Sequence, residues 1–180
     1  GTDKRGVGTY ALGQATTGNG IRSYPYSTNM SIDPRTYNEI KTAAVPHGVG
    51  STWTAMLWDM TWALIDRYGF DPNLYTGTGG NNKALQLVID GMKLQVCSPG
   101  FVDGRNAILA ADVADYDGDH TCAIWEAFRE RGLGVNANQG SSANRSDGVQ
   151  DFTQAPACVN HIFSSSFGHG DFAHWSTSVP

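Results

Sequence analysis

Residues 48–68, GVGSTWTAMLWDMTWALIDRY, decide the fold. Val49, Trp53, Met56, Leu57, Met60 and Leu64 recur at three- and four-residue intervals and share one helical face. Trp58, Trp62 and Ile65 form a second apolar face. A helix that is apolar on two faces is surrounded by other elements, and Gly69 ends this one. Gly48 to Ile65 is also the stretch poorest in charge, but Ser51, Thr52, Thr54, Asp59 and Thr61 suit a membrane span badly. It is read as a buried helix, with no membrane partner.

Shorter helices follow on either side. Asp33-Pro34 caps and starts one that runs through about Ala43, and Pro46 ends it. A third starts at Asn81 or Asn82 and carries Ala84, Leu85, Val88, Ile89 and Met92. Ser98-Pro99 caps a fourth with Phe101, Ile108 and Leu109 inward. Asp119 caps a fifth with Cys122, Trp125 and Phe128 inward, and Gly132 stops it. No run of period-two strands precedes residue 135. The expected fold is mainly α, a helical bundle around a central buried helix. Residues 1–32, with the turn cluster Thr16-Thr17-Gly18-Asn19-Gly20, form an irregular glycine-rich segment wrapped over it.

The expected organisation is a helical lobe over residues 1–137, a polar linker over 138–160, and a tail or the start of a following domain over 161–180. Asn138 to Asn144 supplies the linker composition, and Phe163, Phe167, Phe172 and Trp175 restore aromatics near the end. The chain opens at Gly1 with no charged leader ahead of an apolar run, so a processed product or a piece of something longer is expected.

Composition narrows the function. Apolar residues make up 40% of 180, enough for one core, and net charge is −5 from 12 basic and 17 acidic residues. Without a basic patch, neither nucleic acid nor an anionic membrane surface is an expected partner. The three cysteines match no zinc ribbon or redox motif. One disulfide, Cys97–Cys122, with Cys158 left over suits an oxidising compartment; buried free thiols are the alternative. GxGxxG, P-loop, GxSxG and HExxH patterns are all missing from these 180 residues.

Five ordered blocks resemble the fungalysin family of secreted zinc metallopeptidases. Residues 20–28, GIRSYPYST, resemble its GGIRNYPYST segment, and residues 46–53, PHGVGSTW, its VHAIGEVW segment. Residues 85–99, LQLVIDGMKLQVCSP, are similar to LHLFIDALALQPCNP. Residues 101–112 and 122–135 are similar to FVTARDAWIQAD and CLLWKAFASRGLGV. The blocks are collinear and cover about residues 18–137.

The resemblance implies the C-terminal helical lobe of a thermolysin-like catalytic domain. The HExxH helix and downstream zinc-binding Glu would belong to an N-terminal lobe with no counterpart here. Zinc would then be the cofactor of the full-length enzyme, with no ligand in this chain, which alone is expected to be inactive. Protein or peptide would be the substrate, and the setting extracellular. In such enzymes a zinc-bound water activated by the HExxH glutamate attacks the peptide carbonyl, and the charge on its oxygen needs fixed donors.

By position in the family pattern, His47 is the transition-state donor. Arg22 binds a substrate carbonyl on the primed side, and Ile21 lines the pocket there. The Asp that orients this His in thermolysin-like enzymes is missing from residues 42–46, which leaves Glu39 and Asp90 as candidates. Cys97 and Cys122 also match family cysteines, and closing a loop of about 25 residues would stabilise by roughly 3 kcal/mol on the chain-entropy model. An alternative reading is a stand-alone, non-catalytic binding module on the same fold.

Other clusters are read as structure. Asp112, Asp115, Asp117 and Asp119 lack full calcium-loop spacing and the closing Glu, and are expected to form a solvated acidic turn. His161, His169, Asp171 and His174 are expected on a surface tail, and the Trp53, Trp58 and Trp62 series in the core. Asn29-Met30-Ser31 and Asn144-Arg145-Ser146 are glycosylation sequons, meaningful in a eukaryotic secretory host.

Overall fold

A computed structural model describes residues 1–159. Its helices are α1 (His47–Tyr68), α2 (Gly80–Leu94), α3 (Phe101–Tyr116) and α4 (Thr121–Glu130), joined by short 3-10 turns at Tyr10–Leu12, Tyr37–Lys41 and Pro156–Cys158. Extended pairing among the described residues is confined to isolated bridges. The fold is the expected helical bundle. α1 packs on α2 and α4, and α2 packs on α3. Met56, Met60 and Leu64 of α1 meet Leu87, Ile108, Ile124 and Phe128 in one buried cluster. α1 and α2 approach so closely that a Cβ on Gly80 would lie 2.1 Å from the Leu64 carbonyl, so only glycine fits there.

α1 occupies the predicted stretch, starting one residue earlier, and its two apolar faces find different covers. Trp53 lies between Phe101 and Phe128, with ring centroids 5.2 and 5.5 Å away. The second face meets the N-terminal segment rather than a helix: Tyr26 stacks on Trp58 at 5.9 Å, and Trp58 Nε1 donates to the Gly1 carbonyl at 3.4 Å. Such aromatic pairs contribute about 0.5–1.5 kcal/mol each beyond the area they bury.

Two expected caps, Asp33 and Asp119, do not cap helices. Asp33 does not open a helix, because its carboxylate is bound on both oxygens by the Arg35 guanidinium, each at 2.6 Å. Only the 3-10 turn Tyr37–Lys41 forms in that stretch. Asp112, expected in a solvated turn, is fully buried. Its carboxylate meets His120 Nδ1 at 2.7 Å and accepts from the His120 amide and the Thr121 hydroxyl. Asp112 thus anchors the start of α4 through His120 and Thr121, and no side chain, Asp119 included, caps the helix amides there. Tyr68 and Tyr116 meet the His120 ring edge-on.

Arg131, just after α4, is fully buried and uses its whole guanidinium. Nε and Nη2 donate to the two Asp59 oxygens at 2.5 and 3.1 Å. Nη1 donates to the Asp33 and Arg35 carbonyls, and Nη2 also to that of Ser27 at 2.7 Å. Burial raises the Asp59 carboxyl from its ordinary 3.8 to about 6, against the lowering effect of Arg131.

The disulfide differs from the expected one. Cys122 pairs with Cys158, with Cα atoms 5.3 Å apart, and Cys97 is free and exposed. Cys97 and Cys122 were paired because both fall in the helical body and match family cysteines. Within the stretch 138–160 expected as a linker, the described residues return to the helical body through backbone pairs of Asn138 with Val149, and of Gly132 and Gly134 with Asp151. That return brings Cys158 onto α4. The expected tail over 161–180, with His161, His169, Asp171 and His174, lies outside the described residues, as does residue 160. No described helix is long and apolar enough to cross a membrane.

Non-reducing peptide mapping should recover Cys122 linked to Cys158 and Cys97 open to alkylation. Cys158→Ser should lower the unfolding free energy by about 4 kcal/mol on the chain-entropy model for a separation of 36 residues, while Cys97→Ser leaves it unchanged. Asp59 sets a pH slope. Its folded value lies above its ordinary one, so its contribution is fully present below 3.8 and is lost as pH rises through about 6. The stability of the protein relative to Asp59→Asn should therefore shrink between pH 4 and 7 in urea titrations. A difference that grows over that window would mean Arg131 outweighs desolvation.

Candidate functional site

Two stretches of chain build the site. The first is the turn at Gly20, held by the Val7 backbone: the Ile21 amide donates to the Val7 carbonyl at 2.9 Å. Gly20 has φ +70°, and a Cβ there would lie 2.2 Å from the Val7 oxygen, so the turn requires glycine. Reciprocal backbone bonds between Arg5 and Tyr26, both 2.9 Å, close the far side of the loop. Ile21 is left 54% exposed, and Arg22 is half-buried with no hydrogen bond or ion pair to another described residue.

The second stretch is the approach to α1. Residues 43–46 turn into the helix, whose first residue is His47. The Ser51 hydroxyl donates to the His47 carbonyl at 2.8 Å. The imidazole is exposed and makes no hydrogen bond to another described residue. It stands at the positive end of a 22-residue helix, where negative charge is favoured.

These stretches enclose one cavity of about 180 Å³, lined by Ile21, Arg22, Tyr24, Arg35, Glu39 and His47 among others. The three residues singled out from sequence therefore share one site. Of the two candidates for orienting His47, Glu39 borders the cavity, without a hydrogen bond to the imidazole. Asp90 does not: it sits on α2, bonded to Gln86 and to Lys93 Nζ at 2.5 Å, and these partners hold its carboxyl below the ordinary range.

Sequence reasoning missed Arg35. Its side chain is 3% exposed and lies over the Tyr26 ring, 4.8 Å from the centroid. Nε and Nη2 hold Asp33, and Nη2 also lies 3.4 Å from the Tyr24 carbonyl. Nη1 is buried without a partner. The available signal was an Arg two residues after an Asp, with a proline between them fixing the chain. A wider groove of about 570 Å³ lies on the other side of residues 43–46, between the starts of α1 and α3 and the loop at Ser141–Ser146. It is lined by none of Ile21, Arg22 and His47, though the sequon Asn144-Arg145-Ser146 borders it.

Among the described residues, no three His, Cys, Asp or Glu side chains gather into a metal site. The described part thus offers no fit for a zinc ion.

A family model described as Fungalysin metallopeptidase (M36) matches residues 1–137. The chain is 46% identical over 151 residues to the extracellular metalloproteinase MEP of Neosartorya fischeri, covering 79% of this chain and 24% of that protein. It is 44% identical over 151 residues to the extracellular metalloproteinase mep of Aspergillus fumigatus, with the same coverage. It is 41% identical over 157 residues to extracellular metalloproteinase 2 of Arthroderma gypseum, covering 83% and 24%. The chain spans about a quarter of the length of these curated relatives.

Proposed function

The chain belongs to the fungalysin metallopeptidase family, and from that premise we propose that it is the C-terminal, substrate-facing lobe of an extracellular zinc metalloendopeptidase. The observation that carries this reading is the shared cavity: Ile21, Arg22 and His47 come from separate stretches and line one site.

Each side chain suits a step on a peptide. The Arg22 guanidinium has no partner among the described residues, and its planar fork fixes the direction of a bound carbonyl. Ile21, half in water, offers apolar surface to a substrate side chain and loses that exposure on binding. His47 presents an N–H toward the scissile carbonyl, and the α1 N-terminus behind it favours the negative charge that develops on that oxygen. A protonated imidazole strengthens the bond, since a charge-assisted hydrogen bond is roughly twice as strong as a neutral one. Zinc supplies the activated water of such a reaction. Its ligands belong to the N-terminal lobe with the HExxH helix, so no step here runs through a ligand of this chain.

In the enzyme carrying both lobes, His47→Ala should lower kcat by about 10²-fold or more while KM changes far less. An unchanged kcat would remove the transition-state role. The isolated 180-residue chain should cleave no protein and retain no zinc after dialysis against a metal-buffered solution. One tightly held zinc per chain would overturn the division of the site between two lobes.

A further inference from the structure

Asn19-Gly20 is the only asparagine-glycine pair in the chain; every other asparagine is followed by a residue with a side chain. The pair carries a chemistry of its own. A backbone nitrogen that loses its proton can attack the side-chain carbonyl carbon of the asparagine before it. A Cβ on the attacking residue crowds that approach, and glycine has none. Asn19 is exposed, so water and hydroxide reach its amide.

The surrounding loop restrains the attack. The Gly20 N–H, which must be given up, donates to Gln14 Oε1 at 2.8 Å. Gln14 is itself anchored: its own amide donates to the Thr9 carbonyl at 2.8 Å. Its side chain folds over the turn at 15–18, where a Cβ on Gly18 would lie 2.7 Å from Oε1. The other side of the pair has no slack. Gly20 bridges to Val7, and a Cβ on Gly6 would lie 2.2 Å from the Gly18 oxygen and 2.9 Å from the Gly20 nitrogen. Backbone is packed directly on backbone here.

We propose that Asn19 is a self-modification site: it deamidates through Gly20, Gln14 slows the step, and the isoaspartate product frees the turn that carries Ile21 and Arg22. The Gly20 nitrogen, its proton taken by hydroxide, forms a bond to Asn19 Cγ. Nδ2 gains a proton from water and leaves as ammonia. Water then opens the cyclic imide. Opening at Cγ gives aspartate. Opening at the main-chain carbonyl gives isoaspartate, whose backbone runs through the former side chain and is one methylene longer. Water enters and ammonia leaves, with no oxidation or reduction. Both products add a carboxylate, but only isoaspartate lengthens the chain. Gly20, pressed against Val7, takes up an added methylene only by giving up the bond from the Ile21 amide to the Val7 carbonyl. None of these steps depends on what Ile21 and Arg22 bind.

The test incubates the folded 180-residue chain at mildly alkaline pH and digests it with trypsin. Cleavage after Arg5 and Arg22 isolates peptide 6–22, in which Asn19 is the sole asparagine. That peptide should gain the mass difference between NH2 and OH before any other asparagine-containing peptide does, and should resolve into aspartate and isoaspartate forms. Gln14→Met, which keeps the stem and removes the acceptor, should speed the reaction by about two- to tenfold, the population shift that one hydrogen bond supports. Gln14→Glu keeps an acceptor and should react at the rate of the unaltered protein. In urea, with the loop unfolded, all three should react alike, which separates the lost bond from a change in local sequence. In the purified isoaspartate form the Ile21 amide should exchange its hydrogen several-fold faster. The proposal is overturned by a peptide 6–22 that stays intact while other asparagines react, or by equal rates in folded Gln14→Met and the unaltered protein. Equal acceleration by Gln14→Met and Gln14→Glu, or an Ile21 amide that exchanges alike in both forms, would overturn it as well.

Discussion

Everything around the cavity is hung on one buried cation. Arg131 reaches the N-terminal segment at Ser27, the loop at Asp33 and Arg35, and the middle of α1 at Asp59. These residues lie 72 to 104 positions before Arg131, and the irregular segment has no ladder of its own. A fully buried guanidinium costs least when every donor is used, and Arg131 uses all of its own on carbonyls and a carboxylate held within hydrogen-bond range. The loop that carries Arg35 and leads to Glu39 is therefore set from beneath by Arg131 and from the side by the Asp33 pair. Removing the cation would leave Asp59 and three carbonyls unpaired in the interior.

This arrangement explains how a glycine-rich segment with little secondary structure holds Ile21 and Arg22 in place. Reciprocal bonds between Arg5 and Tyr26 close the loop, the Val7–Ile21 bond sets the turn, and Tyr26 and Trp58 seat the segment on α1. Each contact is modest. Together they replace the ladder that a strand would have provided, and leave Ile21 and Arg22 outward.

How legible this was depended on sequence distance. The periodicity of residues 48–68 located α1 to within a residue, because a helix writes its packing into neighbours three and four positions away. Asp59 in the same stretch was noticed only as unsuited to a membrane. Its partner lies 72 positions on, and no local pattern names it. Asp112 and His120 are eight residues apart, yet the intervening acidic run resembled a solvated turn and hid a buried pair. The disulfide was assigned from the two cysteines of the helical body and their match to the family, neither of which shows that the segment carrying Cys158 doubles back. Ile21, Arg22 and His47 were found through the family resemblance and not through composition. Arg35 escaped because its free Nη1 becomes visible only once Asp33 and Tyr26 have claimed the rest of the side chain.

The Cys122–Cys158 bond closes a ring that contains the end of α4, Arg131 and the exposed loop at Ser141–Ser146. Exposed loops of small polar residues are where peptidases cut first. A single cut in this one severs the backbone without separating the pieces, since both ends remain tethered through sulfur and through the backbone pairs at Asn138 and Asp151. In surroundings rich in peptidases the domain can be nicked and still keep Arg131 in its socket, so the damage shows only after reduction.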